Sequence, residues 1–91
     1  MINVSDIIYV VNREQLSASE YNNNGFIRTF LYKDKKKAVE RLKSLRAEDI
    51  SELERLDIDY DVYSDTNEKF QVAWDSDLEM VFITMNEKTI E

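Results

Sequence analysis

The chain has 91 residues, 43% of them hydrophobic and 34% charged, with one glycine, no proline, no cysteine, no histidine and a net charge of −7. That length suits one small domain with one modest core, and the aliphatic content is that of a folded protein rather than a disordered one. The missing cysteines exclude disulfides, thiolate nucleophiles and cysteine-bound zinc, the missing histidines exclude the usual acid–base group near neutrality, and the negative balance disfavours nucleic acid and anionic membranes.

The first element expected is a strand over Ile7 to Val11, a β-branched and aromatic run without polar alternation, covered on both faces and so inside a sheet. No basic stretch precedes it and no small-residue cleavage site follows it, so it reads as a strand rather than a leader. No segment approaches the length a membrane span requires. Asn24-Gly25 marks a turn, and Phe26 to Tyr32 is a second strand with Phe26, Arg28, Phe30 and Tyr32 on one side. From Lys35 the period changes to that of a helix: Ala38, Val39, Leu42 and Leu45 share a face, and Asp34 suits the N-cap. Ile50, Leu53 and Leu56 extend the stripe. The charges favour a break near Ala47 to Asp49, because one long helix would be basic at its start and acidic at its end, against its own dipole.

After Leu56 the period falls to two. Ile58, Tyr60 and Val62, then Phe70, Val72 and Trp74, then Met80, Phe82 and Thr84 define three strands joined by short polar links at 64–69 and 75–78. The fold class that follows is α+β: an antiparallel-rich sheet of about five strands in the order ββ, one or two helices, βββ, with the helical stretch packed on one face. The aromatic residues Phe26, Phe30, Phe70, Trp74 and Phe82 are assigned to packing. Tyr63, on the aspartate side of its strand, is the candidate for an exposed interface anchor.

Charge is divided unevenly. Residues 1–46 hold nine Lys/Arg against five Asp/Glu, residues 47–91 three against fourteen. The stretch DIDYDVYSDTNE, Asp57 to Glu68, is the densest part and places acids at five donor positions of a twelve-residue calcium loop. Val62 stands where that loop needs glycine, however, and the residues after Glu68 alternate like a strand, so no metal site is assigned. Asp57, Asp59 and Asp61 also fit the solvent side of an edge strand, where charge discourages pairing with other chains.

A wider acidic surface takes in Glu48, Asp49, Glu52 and Glu54 on the helical stretch, Asp57, Asp59, Asp61, Tyr63, Asp65 and Glu68 after it, and Asp75, Asp77 and Glu79 in the last link. Carboxylates on alternate strand residues repeat about every 6.8 Å, roughly twice the 3.4 Å phosphate spacing along one DNA strand. A short, cysteine-free, strongly acidic chain mixing strands with a helix resembles the small bacteriophage proteins that mimic DNA and disarm host nucleic-acid-binding or restriction enzymes. The resemblance is one of type, covering the acidic half, without a shared motif. It implies a non-enzymatic inhibitor in the host cytoplasm whose partner is a basic, DNA-binding protein, with no cofactor, no membrane and no direct contact with nucleic acid.

The basic run Lys33, Lys35, Lys36, Lys37, Arg41 and Lys43 departs from a uniformly acidic mimic. It reads as a solvated helix face, with phosphate contact aided by Phe30 and Tyr32 as the competing interpretation. Being opposite in sign to the second half, it also offers a homodimer contact. Paired carboxylates such as Asp75 and Asp77 read as turn residues rather than as a glycosidase pair. The alternative to mimicry is a small structural or regulatory module, perhaps dimeric, whose acidity serves solubility alone.

Overall fold

The computed structural model describes residues 6–17 and 25–90. In chain order these form β1 (Asp6–Ser17), β2 (Gly25–Tyr32), α1 (Lys35–Arg55), β3 (Tyr60–Asp65), β4 (Lys69–Trp74) and β5 (Glu79–Ile90). The strands build one sheet in the order β2-β1-β5-β4-β3, every neighbouring pair antiparallel. This is the α+β arrangement expected, with α1 lying across one face between the two edge strands. β1 is an inner strand as anticipated, but it is not covered on both faces, because α1 packs on one side alone; Val10 and Val11 are buried while Ile7 is 46% exposed. Asn24 of the predicted turn lies outside the described residues, as does the side chain of Phe26.

Alternation sorts the side chains. Val11, Phe70, Val72, Val81, Ile83 and Met85 point from the sheet toward α1, which answers with Ala38, Leu42, Leu45 and Leu53. Phe30, Trp74, Tyr60 and Ile58 pack against the margin of this cluster. Val62 shares their side of the sheet but is 45% exposed, because α1 does not reach over the outer edge of β3.

One helix of 21 residues stands where the charges suggested two. The dipole argument for a break involved terms of about 0.3–1 kcal/mol, and two larger effects outweigh them. Leu53 is buried only if the stripe continues, which is worth about 1.5–3 kcal/mol for a fully buried leucine. Asp49, the expected breaker, is turned inward on the same stripe and neutralised: Arg13 of β1 donates to it from Nε at 2.9 Å and from Nη2 at 2.5 Å. Asp34 caps the start, accepting from the Lys36 N–H at 2.9 Å.

The C-terminus of α1 closes in a Schellman arrangement. Asp57 takes the left-handed conformation at φ 56°, its N–H bonds to the Glu54 carbonyl, and the Ile58 N–H reaches back to the Leu53 carbonyl at 2.9 Å. Asp57 is therefore a helix terminator, not the first residue of a strand.

Candidate acidic interface

Sheet pairing decides which carboxylates meet. Tyr60 and Asp61 of β3 lie opposite Trp74 and Ala73 of β4, and Trp74 lies opposite Glu79 of β5. Asp59 and Asp61 are thereby set beside Asp75, Asp77 and Glu79 at one end of the sheet. Together they line an open cleft of about 760 Å³ whose walls include Trp74 and Tyr60 and no Lys or Arg. The two aromatic residues escaped notice as site residues because their spacing marked them as core. The available signal was Trp74 directly preceding the Asp75-Ser76-Asp77 link.

Local backbone shapes this end. Asp75, Ser76 and Asp77 all have positive φ, at 55°, 54° and 67°, and the Leu78 N–H bonds to the Asp75 carbonyl at 3.0 Å. Positive φ at both central positions is the type I′ pattern that suits the twist of a hairpin and normally takes Asn-Gly. The chain uses Ser76 and Asp77 there, after an Asp75 that also has positive φ. Aspartate tolerates this region better than most residues but less well than glycine, so the two carboxylates at the mouth of the cleft sit on backbone that glycine would hold at lower energy.

β3 is an edge strand, and its register slips between Val62 and Ser64, leaving Tyr63 as the extra residue of a bulge. A bulge on an edge blocks further pairing and re-aims a side chain. Here it frees Tyr63, 51% exposed, whose hydroxyl donates to Asp77 at 2.8 Å. That hydrogen bond, with partial desolvation and the nearby Asp77 and Asp61 charges, raises the phenol pKa above its ordinary value. Tyr60 is raised likewise, first by its hydrogen bond to Glu54. Glu79 accepts from the buried Ser17 hydroxyl at 2.7 Å, which fixes its position at the cleft wall.

The remaining predicted site residues do not join this cluster. Asp49 faces inward against Arg13, each side chain less than one-sixth exposed. Glu52 pairs with Arg55 on the helix surface; that hydrogen bond lowers the carboxyl pKa and raises that of the guanidinium. Asp65 takes two hydrogen bonds from Arg46, whose pKa they raise and whose guanidinium also stacks over Phe70. Glu68 sits in the β3–β4 link near Tyr9 and Lys35, at the far end of the sheet. Glu48 is exposed on α1 without joining the cleft, while Glu54 and Asp57 are exposed close to it, where the helix ends.

Arg28, Arg41 and the lysines at 33–37 collect at the opposite end and edge, while Arg13 and Arg55 stay near the end of α1, paired with Asp49 and Glu52. Arg41 and Arg28 stack on the Phe30 ring, their guanidinium carbons 4.7 and 5.3 Å from its centroid, and Arg41 donates to the Tyr32 hydroxyl. Phe30 is therefore already engaged by cations, and Lys33, Lys35, Lys36 and Lys37 project into solvent around the start of α1.

An open acidic cleft with an aromatic wall suits cationic side chains. A Lys or Arg side chain entering the cleft would meet carboxylates and part of Trp74, and a cation seated over an indole ring gains about 0.5–2 kcal/mol. Among the described residues no cluster of three or more carboxylate, imidazole or thiolate groups is arranged to hold a metal ion. The stretch from Asp57 to Glu68 is a helix cap, a strand and part of a hairpin link, not a single ion-binding loop. No helix among the described residues is long and apolar enough to cross a membrane. No protein-family profile matches the chain, and neither does any characterised protein or solved structure.

Proposed function

We propose that the chain is a non-enzymatic inhibitor, acting in the cytoplasm, whose acidic end occupies the nucleic-acid groove of a basic DNA-binding protein in the manner of the phage DNA mimics. The observation that supports this most is the convergence of Asp59, Asp61, Asp75, Asp77 and Glu79 on one cleft that no Lys or Arg lines. Solubility requires negative charge somewhere on the surface; it does not require carboxylates in a turn that glycine would occupy at lower energy. The mimicking surface is smaller than the whole acidic half: Asp49, Glu52 and Asp65 are neutralised by arginines. Glu54 and Asp57 extend the cleft toward the end of α1, and Tyr63 supplies a hydrogen-bonding aromatic at its margin.

The test uses the immobilised chain and a variant combining Asp59→Asn, Asp61→Asn, Asp75→Asn and Asp77→Asn. Each is exposed to a bacterial lysate and washed with duplex DNA or with salt. The proposal requires DNA-binding proteins retained by the parent chain, displaced by duplex and by rising ionic strength, and lost from the variant. Retention of the same proteins by the variant, or failure of DNA to displace them, would favour a module whose acidity serves solubility alone.

A further inference from the structure

The two edges of the sheet are finished differently. β3 carries the bulge at Tyr63 and two aspartates, both of which keep a further strand from adding. β2, at the other edge, carries neither. Its residues, GFIRTFLY, include no proline, no acid and a single base, and they pair with β1 without a shift from Leu16↔Gly25 to Tyr9↔Tyr32. Among the described residues β1 is the only strand beside it, so alternate residues of β2 turn an unpaired N–H and C=O outward. Ile27 and Leu31 on this edge are 61% and 64% exposed, more than any other large hydrophobic side chain among the described residues.

We infer that β2 pairs with β2 of a second copy, antiparallel about a two-fold axis at Thr29, joining the two sheets edge to edge into one. The strand's own sequence selects that occupant. Opposed residues of an antiparallel ladder share a face of the sheet, so a two-fold axis must sit on a residue that meets its own counterpart. An axis at Arg28 opposes two guanidiniums directly, which is repulsive. An axis at Phe30 sets Ile27 against Lys33 of the other copy. The axis at Thr29 sets Ile27 against Leu31 of the other copy, twice, and Arg28 against Phe30. The two most exposed apolar side chains of each chain then cover one another, no like charges stand opposed, and all of residues 26–32 take part in the ladder.

One ladder without a second packed layer buries less than a standard interface, which puts the association in the weak class, with Kd on the order of 100 µM. The acidic cleft belongs to the opposite margin of the sheet, around β3 and the β4–β5 link. One cleft therefore stands at each far end of the joined sheet, and the pairing neither needs nor obstructs it.

Sedimentation velocity and amide hydrogen exchange of the full chain, from about 20 µM to about 1 mM, test the pairing. The chain should pass from monomer to dimer across that range, and alternate amides within 26–32 should gain protection in step with it while protection over β3 stays constant. Ile27→Lys and Leu31→Glu should each weaken the dimer at least about fivefold. The double variant should recover it by opposing the new charges twice, and Leu56→Lys, at the end of α1, should change nothing, with thermal melts showing that all variants fold. Raising salt should tighten the dimer, because each copy carries −7 and Arg28 of the two copies are diagonal neighbours. A chain still monomeric at about 1 mM, unprotected β2 amides in the dimer, a double variant no tighter than the single ones, or a dimer that loosens as salt rises would overturn the inference. Capture of DNA-binding proteins by a chain that stays monomeric would overturn it too, while leaving the acidic-cleft proposal intact.

Discussion

Three aspartates hold backbone conformations that their side chains make costly. Asp57, Asp75 and Asp77 all have positive φ, and glycine at such a position removes the steric penalty of a Cβ. Asp57 also places a negative charge at the negative end of the α1 dipole. Asp57→Gly and Asp75→Gly, which remove no side-chain hydrogen bond among the described residues, are each expected to stabilise the fold by roughly 0.5–1 kcal/mol in urea unfolding, while weakening capture of a basic partner. A fall in stability would show that these carboxylates serve the fold rather than the cleft. Tyr60 and Tyr63 report on the same environment. Their raised pKa values mean that the Glu54 and Asp77 hydrogen bonds stabilise fully below the ordinary tyrosine pKa near 10.0 and are lost as pH climbs through the higher folded values. Ultraviolet titration, assigned with Tyr60→Phe and Tyr63→Phe, should find both phenols ionising later than free tyrosine, with stability declining over the same alkaline window. Phenols that titrate at or below the free value would contradict the described contacts.

At the level of elements, periodicity made most of the fold legible. Strand alternation after Leu56 located β3, β4 and β5 and the apolar stripe from Ala38 the helical stretch, because burial repeats at two and at about 3.6 residues, while β-branched and aromatic runs located β2 and only the first half of β1, which continues to Ser17. The interruption of α1 was misread for a definite reason. Glu48-Asp49 looks like the start of a new helix only if Asp49 faces solvent, and its partner, Arg13, is 36 residues away. Long-range pairing of that kind leaves no local signature. Ala47→Gly separates the alternatives: within one continuous helix it should destabilise by about 1 kcal/mol relative to alanine, whereas glycine at a true helix end would be neutral or stabilising. The candidate site was legible as a list of acids but not as a place. Asp61 and Asp75 become neighbours through the β3–β4 register, and Asp65, four residues from Asp61, is carried to the Arg46 side by the same strand.

Across the whole molecule the charge division in the sequence becomes a spatial one. Lys33, Lys35, Lys36, Lys37 and Arg41 surround the start of α1, while Asp59, Asp61, Asp75, Asp77 and Glu79 surround the cleft near its end. The Cα envelope, 55 × 23 × 17 Å, is elongated, so the two regions lie well beyond the screening length of about 8 Å at physiological salt. Each therefore acts as an independent local field, and a net charge of −7 describes neither. The measurement that addresses this most directly is amide relaxation in the presence of matched cationic and anionic nitroxide cosolutes, which reports the potential at each residue without any partner. Amides of 59–61 and 75–79 should be relaxed far more by the cation than by the anion, with the preference reversed over 33–41. Equal effects of the two probes at the cleft would mean that its carboxylates are neutralised, and the proposed basic partner would have nothing to recognise.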